Sequence, residues 1–412
     1  MRTYFLFILL LLCSSAAAAV RTGLDVIKAS DAAILKGKKI ALICNQTSVA
    51  SDGTFAPDVF LKQKNCKLVA LLTPEHGLKG SRKAGVESND IEQYHGITVY
   101  SIYGTTRKPT KNMLKGVGAI VFDLQDIGVR AYTYLSTMIL AMEAAAEQKI
   151  EFVVLDRPNP LGGERIEGNI LDTSLKSFVG QVPVPYLHGM TLGELAKMAK
   201  AKGWFNSAAK LKLTVVSMQG WKRTMSWPAT GLKWIAPSPN IPTYESAVGC
   251  AMFGAIGELG VLSVGVGSDL PFLRLGSRLV SSDLLLSTST SALSGCTVTP
   301  EQFTVPYADS LKTYNGVKII LSKSLSSSDD LYSGQFKIFY TLLRDSGFRK
   351  AFDAVVFSSK RMLEKVTGCH DLLKLFTHAS DHSSDAEIET IINNWKPDVA
   401  AFRTNRKNYL LY

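Results

Sequence analysis

At 412 residues the chain is too long for one small domain, and two domains are the natural expectation. A hydrophobic content of 46% with 20% charged residues excludes a largely disordered protein. The formal net charge of +11 fits either an anionic partner such as a cell-wall polymer or a generally basic solvated surface, whereas the dispersed lysines and arginines, with no basic run interleaved with aromatics, argue against nucleic acid.

The chain opens with Arg2, an apolar run over residues 4–12 and small residues through 17–19. This is the pattern of a secretory signal peptide cleaved after residue 19, and the run is too short to span a bilayer. A lipoprotein signal at Cys13 fits less well, because Leu12 stands where a small residue is expected. The expectation is an exported protein, periplasmic or secreted, with no transmembrane segment in the mature chain. Five cysteines remain, odd in number and without a C-x-x-C pattern, so no disulfide framework is implied.

The first predicted strand, KIALIC, ends at Asn45-Gln46. A short helix over 56–62 follows, with Pro57 tolerated in its first turn. The second strand, KLVALL, runs into Pro74-Glu75-His76-Gly77. Residues 81–96 are polar and aperiodic and read as a loop, placed to act as a lid over the acid. The third strand, ITVYSIYG, ends at Tyr103-Gly104; a turn at 108–110 and a short helix to Leu114 precede the fourth, VGAIVFDLQDIG, which ends at Gln125-Asp126.

Residues 133–148 form the clearest helix, with Leu135, Met138, Ile139, Met142, Ala145 and Ala146 on one face. The fifth strand, EFVVLD, leads into Asp156-Arg157-Pro158-Asn159, and a helix over 191–202 has Thr191 as N-cap and Glu194 completing a capping box. LKLTVVSM is the sixth strand. Apolar strands alternating with helices predict a Rossmann-like, mostly parallel sheet. The proline- and tryptophan-rich stretch 227–246 reads as the connection to a smaller α+β domain, possible only as irregular structure. The expected division is a catalytic domain over 20–235 and an auxiliary domain over 236–412 that completes the cleft. In the second part, strands are predicted at 261–266 and 317–321, and helices at 335–346, 349–357 and 386–395.

The carboxyl ends of parallel strands share one sheet edge, where ligands bind, so five polar strand ends converge around Glu75. A carboxyl group at a sheet edge flanked by apolar residues is of the kind that burial can adapt to general-acid work; the plain alternative is a surface turn with a salt bridge. In FDLQDIGVRAYTY, Asp126 is placed to orient a base or hold sugar hydroxyls, with Tyr132 or Tyr134 stacking on a ring. Helix capping and an Asp126–Arg130 ion pair are the alternative. Arg157 is suited to grip a carboxylate bidentately, or else forms a structural ion pair. His188, just before a helix, either faces the site or satisfies a local hydrogen bond. There is no H-E-x-x-H, Walker A or G-x-S-x-G motif. Gly265-Val266-Gly267 lies outside the βαβ region, and His76, Asp126 and His188 lack metal-ligand spacing, so neither cofactor nor metal is expected.

Seven motifs in order, LICNQTSV, LLTPEHGLKG, VYSIYGTTRKPT, VFDLQDIGVRAYTYLSTM, VVLDRPNPLGG, SFVGQVPVPYLHGMTLGELA and PSPNIPTYES, resemble the NamZ-type exo-β-N-acetylmuramidases. The likeness runs to the closing RKNYLLY. It implies a Rossmann-like domain and a smaller C-terminal domain with the site between them. It also implies release of terminal N-acetylmuramic acid from the non-reducing ends of peptidoglycan fragments. Glu75, in the PEHG motif, is then the catalytic acid, and Asp126 or His188 the second group, unless the substrate's acetamido group serves as nucleophile. The expected substrate contacts are Asn45, His76, Gln125, Arg130, Tyr132, Asp156, Arg157, Asn159, Asn240 and Glu245, with Arg157 on the lactyl carboxylate that distinguishes muramic acid from glucosamine. Partners are thus muramyl saccharides; the sequence carries no signal of oligomeric state. One stretch departs: where the family reads close to EGTNLSVGRGT, residues 258–268 read ELGVLSVGVGS. The rival readings are a non-catalytic binder of muramyl sugars and a metal-dependent esterase or amidase.

Overall fold

The computed structural model describes residues 19–307, 310–323 and 325–412. Residues 1–18 of the expected signal peptide, Cys13 among them, lie outside the described residues.

The first unit is built on a seven-stranded sheet of β1 (Lys38–Cys44), β2 (Cys66–Thr73), β3 (Ile91–Tyr94), β4 (Ile97–Ser101), β5 (Ala119–Asp123), β6 (Glu151–Leu155) and β9 (Leu213–Val216). Between the last two, β7 (Glu167–Ile170) and β8 (Pro185–Leu187) form a separate two-stranded ribbon. The large sheet has the order β3-β4-β2-β1-β5-β6-β9 and is parallel except for β3. Without that edge strand the order is the doubly wound Rossmann one, and its direction reverses between β1 and β5. Every residue of β5 and β6 is buried, because helices cover both faces, and this is why those strands read as unbroken apolar runs.

Two helices follow the sequence closely. The helix Thr133–Gln148 carries its buried stripe against the sheet. The helix Leu192–Lys202 is capped by Thr191 and Glu194 in a reciprocal box and stopped by Gly203 in the left-handed region. Residues 81–96, by contrast, are not all loop. Ile91–Tyr94 pairs antiparallel with β4 through a two-residue turn at His95 and Gly96, both at positive φ; such a turn matches the twist of the flanking strands. Residues 111–116 form turns rather than the expected short helix.

The second unit holds β10 (Arg274–Ser277), β11 (Cys296–Tyr307) and β12 (Ser310–Leu321) in an antiparallel sheet, packed with helices. The strand expected at 261–266 is reduced to one bridge, Ser263 with Gly276, since Gly260, Gly265 and Gly267 take positive φ. The strand expected at 317–321 is the end of the longer β12. The helix expected over 335–346 stops at Leu342, and Asp345 caps a new one, Ser346–Asp353, by accepting from the Phe348 amide. The five described cysteines are free thiols, and among the described residues no helix is long and apolar enough to cross a membrane.

The units interlock. Ile127 and Val129, just after β5, belong to the second unit's core, and Phe402 belongs to the first's. Arg130 is fully buried and donates to the carbonyls of Asn169, Val184 and Thr367, so it bolts the two together.

Candidate active site

β2 ends at Thr73, and the chain then turns sharply. His76 has φ 72° and Gly77 φ 73°; few residues with a side chain occupy the left-handed region, and such positions cluster at functional sites. His76 Nδ1 lies 2.8 Å from the Arg82 carbonyl. A carbonyl only accepts, so Nδ1 carries a proton. Gly80 (φ 67°) completes the turn, and a Cβ there would stand 2.0 Å from the Gln46 side chain. Gly80→Ala should therefore cost about 1–2 kcal/mol in urea unfolding.

Glu75 is 7% exposed. Its Oε1 accepts the Gly85 amide at 2.7 Å, and its Oε2 accepts the Thr133 hydroxyl at 2.7 Å. The segment after β2 thus folds back over the acid, and the start of the long helix holds it from the other side. Tyr103 stands beside it: β2 and β4 pair Thr73 with Ser101, and the Ile102 amide donates to the Thr73 carbonyl. Burial and the Glu75 charge push the Tyr103 phenol up to about 12, so it remains protonated. The Tyr132 and Tyr134 rings meet edge-on at 4.9 Å, and both phenols are raised by burial, with Glu75 and Asp126 also contributing.

Asp126 is 6% exposed, its Oδ2 accepting the Gly128 amide at 2.7 Å and its Oδ1 buried without a partner. Burial pushes its carboxyl up to about 7. His188 is enclosed elsewhere. It is 0% exposed, its Nδ1 accepts the Met190 amide at 3.2 Å, and burial together with the Arg406 and Arg130 charges holds it down at about 3. It is a neutral imidazole among interlocking arginines, the local-hydrogen-bond reading of the sequence. These shifts have opposite consequences. Asp126 binds a proton in the folded state that it lacks unfolded between about pH 4 and 7, so its contribution to stability is lost as pH rises through 7. His188 acts in reverse between pH 3 and 6.5. The Asp126 effect is therefore read as a difference: the stability of wild type minus that of Asp126→Asn should fall as pH rises from 4 to 8 in denaturant titrations.

Most other polar strand ends have protein partners and act as braces. Asn45 donates to the Tyr134 hydroxyl at 2.7 Å and accepts from Thr47. Gln125 donates to the carbonyls of Asp126 and Pro158. Asp156 accepts from Thr191, Gly193 and Tyr412, and Asn159 bridges Met190 and Leu161. Arg157 clasps Asp123 through Nε and Nη2, the structural ion pair, so its charge is already matched. Arg130 makes no pair with Asp126. Asn240 is half-buried and Glu245 exposed, and no hydrogen bond joins either side chain to the strand ends among the described residues.

The connecting stretch crosses the strand ends, pinned where Gln46 donates to the Ala236 carbonyl and Tyr134 to the Pro237 carbonyl. Beneath it, at the point where the sheet order reverses, is a cavity of about 290 Å³ lined by Thr47, Gln125, Arg157, Trp227 and Lys233 among others. Glu75 does not line it.

Glu258 was not among the expected site residues. It ends the helix Tyr244–Gly257 as its C-cap, is open to solvent, and yet is hemmed in by protein, as a side chain in a cleft is. Desolvation raises its carboxyl pKa, and the Glu75 charge raises it further, which puts the two acids within each other's field. A signal existed in the sequence: a carboxylate at a helix C-terminus opposes the macrodipole and is unfavourable without another purpose. Among the described residues, no group of three or more His, Cys, Asp or Glu is placed to hold a metal ion.

A Rossmann-type sheet with a held carboxyl group at a strand end and a second acid in its field defines a two-unit α/β enzyme equipped for acid–base chemistry. The family described as "Exo-beta-N-acetylmuramidase NamZ, N-terminal" matches residues 40–245, and its C-terminal counterpart matches residues 250–412. The chain is 37% identical to the peptidoglycan beta-N-acetylmuramidase NamZ of Bacillus subtilis (strain 168), covering 95% of this chain and 91% of that one. Two crystal structures of DUF1343 family proteins from Bacteroides fragilis share the fold. One has TM-score 0.86 and 36% identity over 96% of this chain and 99% of that one; the other has TM-score 0.68 and 27% identity over 95% and 99%. This protein belongs to the NamZ exo-β-N-acetylmuramidase family.

Proposed function

We propose that the protein is exported and releases terminal N-acetylmuramic acid from the non-reducing ends of peptidoglycan fragments, with Glu75 as general acid. Residues 20–235 form the catalytic unit in this reading, and residues 236–412 complete the cleft. What carries it is the Glu75 carboxyl at the sheet edge, gripped at both oxygens and facing the field of a second acid, Glu258. Glycoside hydrolysis uses two such carboxyl groups, one to protonate the leaving oxygen and one to activate water or stabilise the cationic sugar. Glu258 suits the second role better than buried Asp126 or His188, because it is open to water.

The test is incubation of the purified protein with a muramyl-glucosamine disaccharide bearing muramic acid at its non-reducing end, followed by mass spectrometry for the free sugar. No release would overturn the reading. Glu258→Gln should lower kcat about 100-fold or more and remove one limb of the pH–rate profile; an unchanged profile would return the second role to Asp126. Export is checked by sequencing the mature N-terminus, expected at residue 20.

A further inference from the structure

We propose that Arg107 recognises the lactyl carboxylate of the muramyl sugar and so sets the preference of the Glu75 site for muramic acid over glucosamine. This rests on the muramidase reading above. Arg107 follows β4, one side chain away from the acid. Its guanidinium carbon stacks 3.8 Å from the Tyr103 ring centroid and 4.5 Å from that of Phe178, and the two rings are 5.7 Å apart. The Tyr103 phenol feels both the Glu75 charge and the Arg107 guanidinium, so the tyrosine side chain stands between the acid and the guanidinium stacked on its ring.

A stacked guanidinium is held in one plane with its edge presented, the geometry that binds carboxylates bidentately. The lactyl ether stands at C3, two carbons along the pyranose ring from the anomeric carbon where the acid acts. Its carboxylate must therefore be met at some remove from Glu75, which the width of the Tyr103 side chain supplies.

The other arginines near the strand ends are committed elsewhere. Arg157 pairs with buried Asp123, Arg130 donates to buried carbonyls, and Arg82 pairs with Asp90 and Glu92. The ion-pair partner of Arg107 among the described residues is the open Glu87, whose side chain is 55% exposed against 28% for its own. Exposed pairs of this kind contribute little, so a substrate carboxylate displaces Glu87 at small cost.

The experiment uses the full mature protein in a Glu75→Gln background, so that ligand is not turned over. Calorimetry compares the muramyl-glucosamine disaccharide with its lactyl methyl ester. Adding Arg107→Met should weaken the free acid about 30-fold, the scale of a charge-assisted hydrogen bond, and leave the ester within about twofold. Arg107→Lys, which retains charge without the fork, should fall between and guards against misfolding. Equal weakening of both ligands would show a merely structural residue and overturn the proposal, as would no weakening of either. Turnover of the same disaccharide by wild type is the control: its absence would remove the muramidase reading, whereas turnover with Arg107-independent binding would remove this inference alone.

Discussion

Glu75→Gln should release no detectable N-acetylmuramic acid, with kcat lowered about 1,000-fold or more, while the protein remains folded. General-acid catalysis contributes factors of this order. The amide keeps the shape of the carboxyl group; its oxygen still accepts the Gly85 amide, and its NH2 donates to the Thr133 hydroxyl, which rotates to accept. The melting temperature should therefore change by no more than a few degrees. Retained release would move the proton donor elsewhere in the cleft, with Glu258 the first alternative. Glu75→Asp is a sharper probe, since the shorter arm cannot reach both Gly85 and Thr133 and should recover only part of the rate.

The second large effect concerns stability. Asp123→Ala should destabilise the protein by about 3–5 kcal/mol, the usual consequence of leaving one charge of a buried pair without its partner. Asp123 is 0% exposed and ends β5, where burial raises its carboxyl pKa and the Arg157 charge pulls it back. Arg157 also donates to the Val49 carbonyl at 3.0 Å, so the pair ties the ends of β5 and β6 to the loop after β1. Urea unfolding of Asp123→Ala beside Asp123→Leu/Arg157→Met separates two accounts. If the cost is desolvated charge, the apolar double variant should recover most of it. If the double variant is as unstable as the single one, the geometry of the pair itself holds the strand ends.

The Rossmann order was legible because local pattern and global fold agree. Strands such as AIVFD and EFVVL are buried on both faces and so are apolar except for one acid at an end, Asp123 and Glu151. The 133–148 and 191–202 helices announced themselves through one apolar stripe and one capping box. The β3–β4 hairpin was hidden, since IEQY is exposed along most of its length and its pairing depends on a His-Gly turn at positive φ. The β11–β12 hairpin was seen only at its last residues, because much of its length alternates or is polar and is paired across a long register.

For the site, the sequence alone determined that Glu75 follows a buried strand on a Pro-Glu-His-Gly turn beside other polar strand ends, and that the chain resembles the muramidases. Those properties are local, fixed by residue type, period and glycine placement. Tertiary structure decided which polar side chains remain free. Arg130, Arg157, Asp156 and His188 read from sequence as groups awaiting a ligand. Folding gave the first three partners from distant segments and enclosed the fourth. Glu258 and Arg107 were not singled out in the chain, yet folding brought Glu258, from the second unit, into the field of the acid and set Arg107, from the segment after β4, against Tyr103. Whether a buried polar group is a brace or a binding group depends on what lies within about 3 Å of it, and that is set by contacts between residues tens to hundreds apart.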